Sequence, residues 1–464
     1  MKKYMFFLLP VAAMLAIGFI WLSQVSQQKK QVSARENFER YCSGCHGMNM
    51  ERFAGKTYAG VGTDYLSYAI KEGLPMVGMP SFTNTFTGQE IKELSEYMLT
   101  GIKKRPKENT NASFPEAVKS QRLNFRVDTV ATGLDVPWGI AFLPDGDMLV
   151  TERSGQLFRF RNGKLAGIVE NVPAVFNRGQ GGLSDIILHP QYDKNGWIYL
   201  AYAQPSESGN MGNTAVMRVR LKNDKLIDHQ MIFKAEPDSD RGYHFGARMV
   251  FDDKGYLYVT VGDRGNQSDA QSLDSYSGKV HRLFDDGRIP EDNPFVGDRK
   301  AIPSIFTYGH RNPQGIAIHP VTREIWANEH GPKGGDEINI IQRGKNYGWP
   351  EITYGINYNG TQITPYTSKS GMEQPIHQWT PSIAPSSLAF VTGDKYPEWQ
   401  GDVMSGSLSF RYLERDRIEG TKLTESEKLI ENAGRVRHVT MGPDGYIYVA
   451  IEQPGVVIKL VPLR

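Results

Sequence analysis

Two cysteines occur in the whole chain, and they stand three positions apart in Tyr41-Cys42-Ser43-Gly44-Cys45-His46. Thiols at this spacing can each form a thioether to a haem vinyl group, and the adjacent imidazole can ligate the iron. A zinc site would need a second pair of ligands, and no further cysteine exists to supply it. A thioredoxin-type pair would require no histidine next door. The motif therefore predicts one covalent haem c, held by Cys42 and Cys45 with His46 as axial ligand. The opposite face of the iron needs a second donor. Met76 and Met79 compete for it in Gly73-Leu74-Pro75-Met76-Val77-Gly78-Met79-Pro80-Ser81-Phe82. Thioether sulfur suits iron and raises the haem potential.

The elements that must position these groups are helical. Val32 to Thr100 carries helix-type patterning, and Thr87-Gly88-Gln89-Glu90 opens an amphipathic stretch with Ile91, Leu94 and Met98 on one face. The Met79-Pro80 loop resembles the axial-methionine loop of class I cytochromes c, and that resemblance favours Met79 over Met76. A small all-α cytochrome c domain is expected over 32–101. Ahead of it, Met1-Lys2-Lys3 and an apolar run to about Leu22 read as an export signal over 1–24. The run has nearly the roughly twenty residues of a membrane span and lacks an Ala-x-Ala site, which favours a retained signal-anchor over a cleaved signal peptide. The expected location is the periplasm or the outer face of the cytoplasmic membrane, with membrane attachment through this anchor if it stays uncleaved.

Residues 102–122 are polar and lack apolar periodicity, as a linker does. Over 123–464 a hairpin recurs: a short apolar strand, a Pro/Asp/Gly turn, a second apolar strand. Copies begin near Trp138, Asp185, Ala247, Gln314, Ser387 and His438. A lone hairpin buries no core, whereas a ring of four-stranded blades does, so the repeats predict an all-β six-bladed β-propeller rather than a sandwich. With 53 basic and 51 acidic residues the net charge is only +2, and no basic stripe appears, which argues against a nucleic-acid partner.

Six polar, glycine-rich loops interrupt the repeats: Asn177–Leu183, Tyr243–Arg248, Gly262–Gly265, Tyr308–Pro313, Glu329–Glu337 and Gly434–Arg437. Taken singly they are bland. His244 beside Phe245 reads as a structural histidine, and Asp263 as a turn residue. Taken together, in this order, they resemble the soluble PQQ-dependent aldose sugar dehydrogenases of the glucose/sorbosone dehydrogenase family, from about Phe125 to Leu463. The resemblance implies PQQ and Ca²⁺ as cofactors beside the haem, and an aldose oxidised at C1 to its lactone. By the same resemblance His244 is the general base, Asp263 orients it and Gln180 lines the substrate side. Arg311 and Asn312 would bind the quinone oxygens, Arg435 and Arg437 the PQQ carboxylates, and Trp379 would form an aromatic wall. The carbonyls of Gly331 and Pro332 would hold Ca²⁺. One departure stands out: Ser409 occupies a position where many relatives carry lysine, which implies a weaker hold on PQQ. A cytochrome fused to such a propeller would accept its electrons and hand them to a respiratory carrier, either a cytochrome or an oxidase. Two other readings remain at this stage: a calcium-dependent propeller lactonase or hydrolase, and a non-catalytic binding propeller with an electron-carrier cytochrome.

Overall fold

In the three recurring turns of Pro-Asp-Gly or Asp-Lys-Gly type, one glycine does the work that no other residue can do cheaply. Gly146 has φ +87°, donates its amide to Leu143 at 2.9 Å, and brings Asp147 back to Leu143 at 2.8 Å. Gly255 and Gly445 take the same left-handed conformation in their own hairpins, at φ +81° and +77°. A computed structural model describes residues 32–46, 50, 62–74, 79–104 and 114–463. It folds the repeats into six four-stranded antiparallel sheets.

The inner strand of each blade comes first in chain order: β2 (Pro137–Phe142), β6 (Leu183–Leu188), β10 (Met249–Phe251), β14 (Pro313–Ile318), β18 (Pro385–Phe390) and β22 (Arg435–Met441). Each inner strand packs against the next, and β22 packs against β2 to complete the ring. The second strands are buried on both faces, so they read as apolar runs rather than as alternation. In β11 (Leu257–Val261), Leu257 and Val259 enter the seam with the preceding blade, while Tyr258 enters the seam with the following one. Ile325 and Trp326 divide in the same way one blade later. Apolar clusters fill the seams between all six neighbouring pairs of blades.

The ring closes with strands from both ends of the propeller segment. Phe125–Ala131 pairs with Val456–Pro462, placing the first strand on the outside of the last blade. Across the centre, Arg248 ties several inner strands together. It donates to the Gln314 carbonyl at 2.8 Å, the Arg437 carbonyl at 2.8 Å and Asp185 at 3.0 Å, and lies 3.9 Å over the Trp138 ring.

The N-terminal unit is helical, as expected. A run made of Ala34–Asn37, a π-turn over Phe38–Cys42 and Ser43–His46 is followed by helices Thr63–Glu72 and Gly88–Lys104. Thr87 and Glu90 cap the last helix reciprocally, and Ile91, Leu94 and Met98 are buried beneath it. The linker expectation for 102–122 fails at both ends. Helix Gly88–Lys104 runs into it, and Phe114 and Val118 pack on the propeller core while Arg122 pairs with Glu425 at 2.7 Å. A polar average over the segment hid these few anchoring side chains. The predicted signal over 1–24 and Met76 lie outside the described residues.

Candidate functional site

Antiparallel pairing puts the entry to each inner strand beside the exit of the second strand: Pro313 faces Glu329, and Arg435 faces Glu452. Loops that precede inner strands and loops that follow second strands therefore gather on one rim. Gln180, His244, Arg311 and Asn312 sit just before inner strands, and Asp263 and Gly331 just after second strands. The topology thus collects on one face residues scattered over about 150 positions of sequence.

His244 and Asp263 meet directly. His244 Nδ1 lies 2.6 Å from Asp263 Oδ1. Trp349 Nε1 donates to the other carboxylate oxygen at 2.8 Å, and the Gly265 amide donates to Oδ1 at 2.7 Å. Close packing makes this possible, since a Cβ at Gly262 would stand 2.2 Å from the His244 carbonyl oxygen. His244 itself has φ +56°, an uncommon conformation for a residue with a side chain. Gln180 Oε1 accepts the His244 amide at 2.9 Å, and Asn312 Oδ1 accepts the Gly246 amide at 3.0 Å, pinning the segment from both sides. Burial, then the neighbouring Arg311 charge, lowers the imidazole pKa, with Asp263 opposing them. Burial pushes the Asp263 carboxyl up, but His244 and Arg311 outweigh it and hold it below the usual carboxylate range. The pair is thus a neutral imidazole against an ionised carboxylate. With Nδ1 committed to Asp263, Nε2 is the nitrogen left to take a proton.

Arg311 is positioned by its backbone: its amide donates to Glu329 at 2.7 Å and its carbonyl accepts Asp263 N at 2.8 Å. Its guanidinium donates to the carbonyls of Gly331 at 2.7 Å and His330 at 3.2 Å, with the Trp349 ring 5.3 Å away. Glu452 holds Arg435 at 2.8 Å and Arg437 at 2.7 Å. Burial raises the Glu452 carboxyl, yet Arg437, Arg435 and Arg153 hold it well below its ordinary range, and burial brings Arg437 down to about 10. Two guanidiniums therefore face one carboxylate.

These donors fit an anionic, oxygen-rich planar group such as PQQ, because carbonyls hold the Arg311 guanidinium, which forms no salt bridge among the described residues, and the arginine pair carries surplus charge. One expectation, the aromatic wall at Trp379, needs correction. Arg437 donates to Glu452 through Nε and Nη2 and to Gln314 through Nη1, Arg435 donates to Glu452 through Nε and to the Leu408 carbonyl through Nη1, and each guanidinium has further N–H donors for a ligand. Trp379 packs in the seam between the fourth and fifth blades, with Nε1 donating to Glu414 at 2.9 Å, and Trp349 is the indole that reaches the histidine–aspartate pair. The Gly331 carbonyl accepts Arg311 at 2.7 Å with one of its two lone pairs, so this bond does not exclude a Ca²⁺ held by the backbone carbonyls of Gly331 and Pro332. Among the described residues no cluster of three or more His, Cys, Asp or Glu side chains could hold a metal.

Sequence reasoning missed His330, Trp349 and Glu452. His330 is held well below its ordinary pKa by burial and the Arg311 charge, and its Nε2 lies 2.8 Å from the Pro385 carbonyl. Its place in the Glu329–Glu337 loop was the one local signal. His310, His319, His189 and His438 take structural partners: His310 meets Glu329 at 2.8 Å and stacks on Tyr347. Ser409 donates its amide to the Ile383 carbonyl at 3.0 Å.

In the helical unit, Cys42 is buried and Met79 packs against the same apolar cluster, which contains Phe38, Ile70, Phe82, Leu94 and Met98. His46 follows Cys42 by about one helical turn. Leu74 and Met79 exchange backbone hydrogen bonds at 2.8 and 3.1 Å, and a Cβ at Gly73 would collide with Ser81 N at 2.6 Å, so glycine lets the methionine loop close. A thiol and a thioether bordering one apolar core, with His46 about one helical turn beyond Cys42, are a donor set that fits haem c. The side chain of Cys45 lies outside the described residues.

Residues 134–459 match the family described as Glucose / Sorbosone dehydrogenase, and residues 30–98 match the cbb3-type cytochrome c oxidase subunit III family. An aldose sugar dehydrogenase of Escherichia coli (strain K12) is 43% identical over 344 residues, covering 72% of this chain and 92% of its own. The solved apo-form of the soluble aldose sugar dehydrogenase from Escherichia coli superposes with a TM-score of 0.71 at 41% identity, covering 73% of this chain and all of that one. The PQQ-bound aldose sugar dehydrogenase from Streptomyces coelicolor gives 0.60 at 27% identity, over 73% of this chain and 98% of that one.

Proposed function

The chain belongs to the glucose/sorbosone dehydrogenase family, with a cytochrome c domain ahead of its propeller, and from that premise we propose that it oxidises aldoses at C1 to lactones and delivers the electrons to its own haem. The observation that carries this reading is the His244–Asp263–Trp349 chain beside an Arg311 whose guanidinium forms no salt bridge among the described residues. PQQ, when bound, supplies a quinone able to accept two electrons, and haem c a one-electron iron couple.

The chain's own residues do the rest. Nε2 of His244 takes the proton of the C1 hydroxyl as the C1–H bond is broken, and Asp263 stabilises the imidazolium that results. Trp349 keeps the carboxylate from rotating away. Arg311 offers a fixed positive charge where negative charge develops. Arg435 and Arg437 would bind carboxylates of the cofactor. Cys42 and Cys45 would anchor the haem and His46 and Met79 would ligate its iron, and export by the N-terminal segment would put both units outside the cytoplasm, where a respiratory carrier would collect the electrons. Ca²⁺, held by the carbonyls of Gly331 and Pro332, would supply a Lewis acid beside the cofactor. The dehydrogenase reading is preferred to the hydrolase and binding readings because the relatives above are named for sugar oxidation and a hydrolase has no use for a haem.

The test is reconstitution with PQQ followed by an aldose panel and a small artificial electron acceptor. The expected result is quinone-dependent oxidation of at least one aldose. No oxidation of any aldose by quinone-loaded protein contradicts the proposal.

A further inference from the structure

Lys333 lies two residues beyond Gly331 on the rim that carries the sugar site, and it reaches into the cytochrome unit. Its Nζ donates to the carbonyl of Arg40 and sits 4.7 Å from the centre of the Tyr41 ring. Tyr41 immediately precedes Cys42, and its ring stands edge-on to Phe86 at 5.1 Å and Phe82 at 6.3 Å, inside the cluster that lines the haem site. The backbone of Lys333 is fixed in turn: it exchanges hydrogen bonds with Ile356 at 3.1 and 3.3 Å. The loop that Ile356 opens presents Gly360 to the same tyrosine, where a Cβ would come within 3.9 Å of Tyr41 Cε1. Nothing in the chemistry at His244 uses this lysine.

We propose that Lys333 is the docking residue of an internal electron-transfer junction: it seats the π-turn Phe38–Cys42, and with it the haem edge, on the rim of the propeller. This rests on the function proposed above and specifies where the electrons cross. Lys333 contributes one cation over one ring plus one hydrogen bond, a weak union were it between separate proteins. It suffices here because both units share a chain, which keeps them at high effective concentration. Oxidation of one aldose to its lactone releases two electrons and two protons. Each ferric haem takes one electron to become ferrous, so the iron is reduced twice per sugar and must hand each electron to an external one-electron acceptor. A junction that opens easily leaves the haem accessible to that acceptor.

The experiment compares full-length wild type, Lys333→Ala and Lys333→Arg, all carrying haem and quinone. Three readouts are taken: aldose turnover with a small artificial acceptor, the rate of haem reduction after mixing with aldose, and the radius of gyration by small-angle scattering. Lys333→Ala should slow haem reduction about tenfold and enlarge the radius of gyration, with artificial-acceptor turnover unchanged. Lys333→Arg, which keeps the cation over the ring, should restore both. Wild-type rate and radius in Lys333→Ala overturn the proposal. So does a fall in artificial-acceptor turnover equal to the fall in haem reduction, which would put Lys333 in the sugar site. If wild type oxidises no aldose, the proposed function fails, while the scattering comparison still decides the docking.

Discussion

Arg415 in the fifth blade and Arg311 at the head of the fourth are both buried guanidiniums, and their surroundings differ in kind. Arg415 is fully buried and surrounded by carboxylates: Nη1 donates to Asp402 at 2.6 Å, Nη2 to Glu427 at 2.9 Å and also to Glu425, and Nε to Glu427. The Arg311 guanidinium donates to the carbonyls of His330 and Gly331 and, among the described residues, forms no salt bridge, with Asp263 and Asp336 acting on it through space. A structural charge is neutralised where it stands. A charge kept for chemistry is held by dipoles and left to attract an incoming anion or developing oxyanion.

The largest effect expected is on turnover. His244→Ala should lower it by about 10² to 10⁴ through loss of the base, leaving the haem spectrum intact. Steady-state kinetics with an artificial acceptor measure it, and unchanged turnover removes His244 from the mechanism.

The two arginines give the sharper contrast. Arg311→Met should cut turnover by about 10²-fold while changing unfolding free energy by less than about 1 kcal/mol. Arg415→Met should do the reverse, costing about 3 kcal/mol because three carboxylates lose their shared partner, with turnover nearly intact. Denaturant titration alongside kinetics reads both. Equal losses of stability in the two variants would break the comparison.

A smaller effect concerns pH. Burial and Arg311 lower the His244 pKa, so the acidic limb of kcat/KM should fall below the ordinary imidazole value of about 6.5. Asp263 is the group that raises it. Asp263→Asn should therefore move the limb to still lower pH, in addition to reducing the rate, and a shift to higher pH contradicts the assignment. The smallest change is expected from Gln180→Ala, which removes one hydrogen bond to the His244 amide and should slow turnover about fivefold.

What could be read from sequence was local. Cys42-Ser43-Gly44-Cys45-His46 names its cofactor within five residues, and Gly146, Gly255 and Gly445 mark hairpins because each turn needs its left-handed residue on the spot. Pairing of Phe125–Ala131 with Val456–Pro462 leaves no local trace, since either strand alone looks like any other. The site divides along the same line. His244, Asp263 and Arg311 sit in loops whose composition is itself unusual. Trp349 and Glu452 matter only through partners 86 and 17 positions away. Trp379 was the natural candidate for the aromatic wall, by its place before Pro381-Ser382-Ile383-Ala384-Pro385, but an apolar seam between blades claims it.

The central claim is that sugar electrons reach the iron within one polypeptide, and anaerobic stopped-flow spectroscopy of the quinone-loaded protein tests it most directly. Mixing with aldose should reduce the haem at a rate independent of protein concentration, with no reduction when quinone is withheld or when His244 is alanine. Haem that stays oxidised while the sugar is consumed, or a rate proportional to protein concentration, would contradict it.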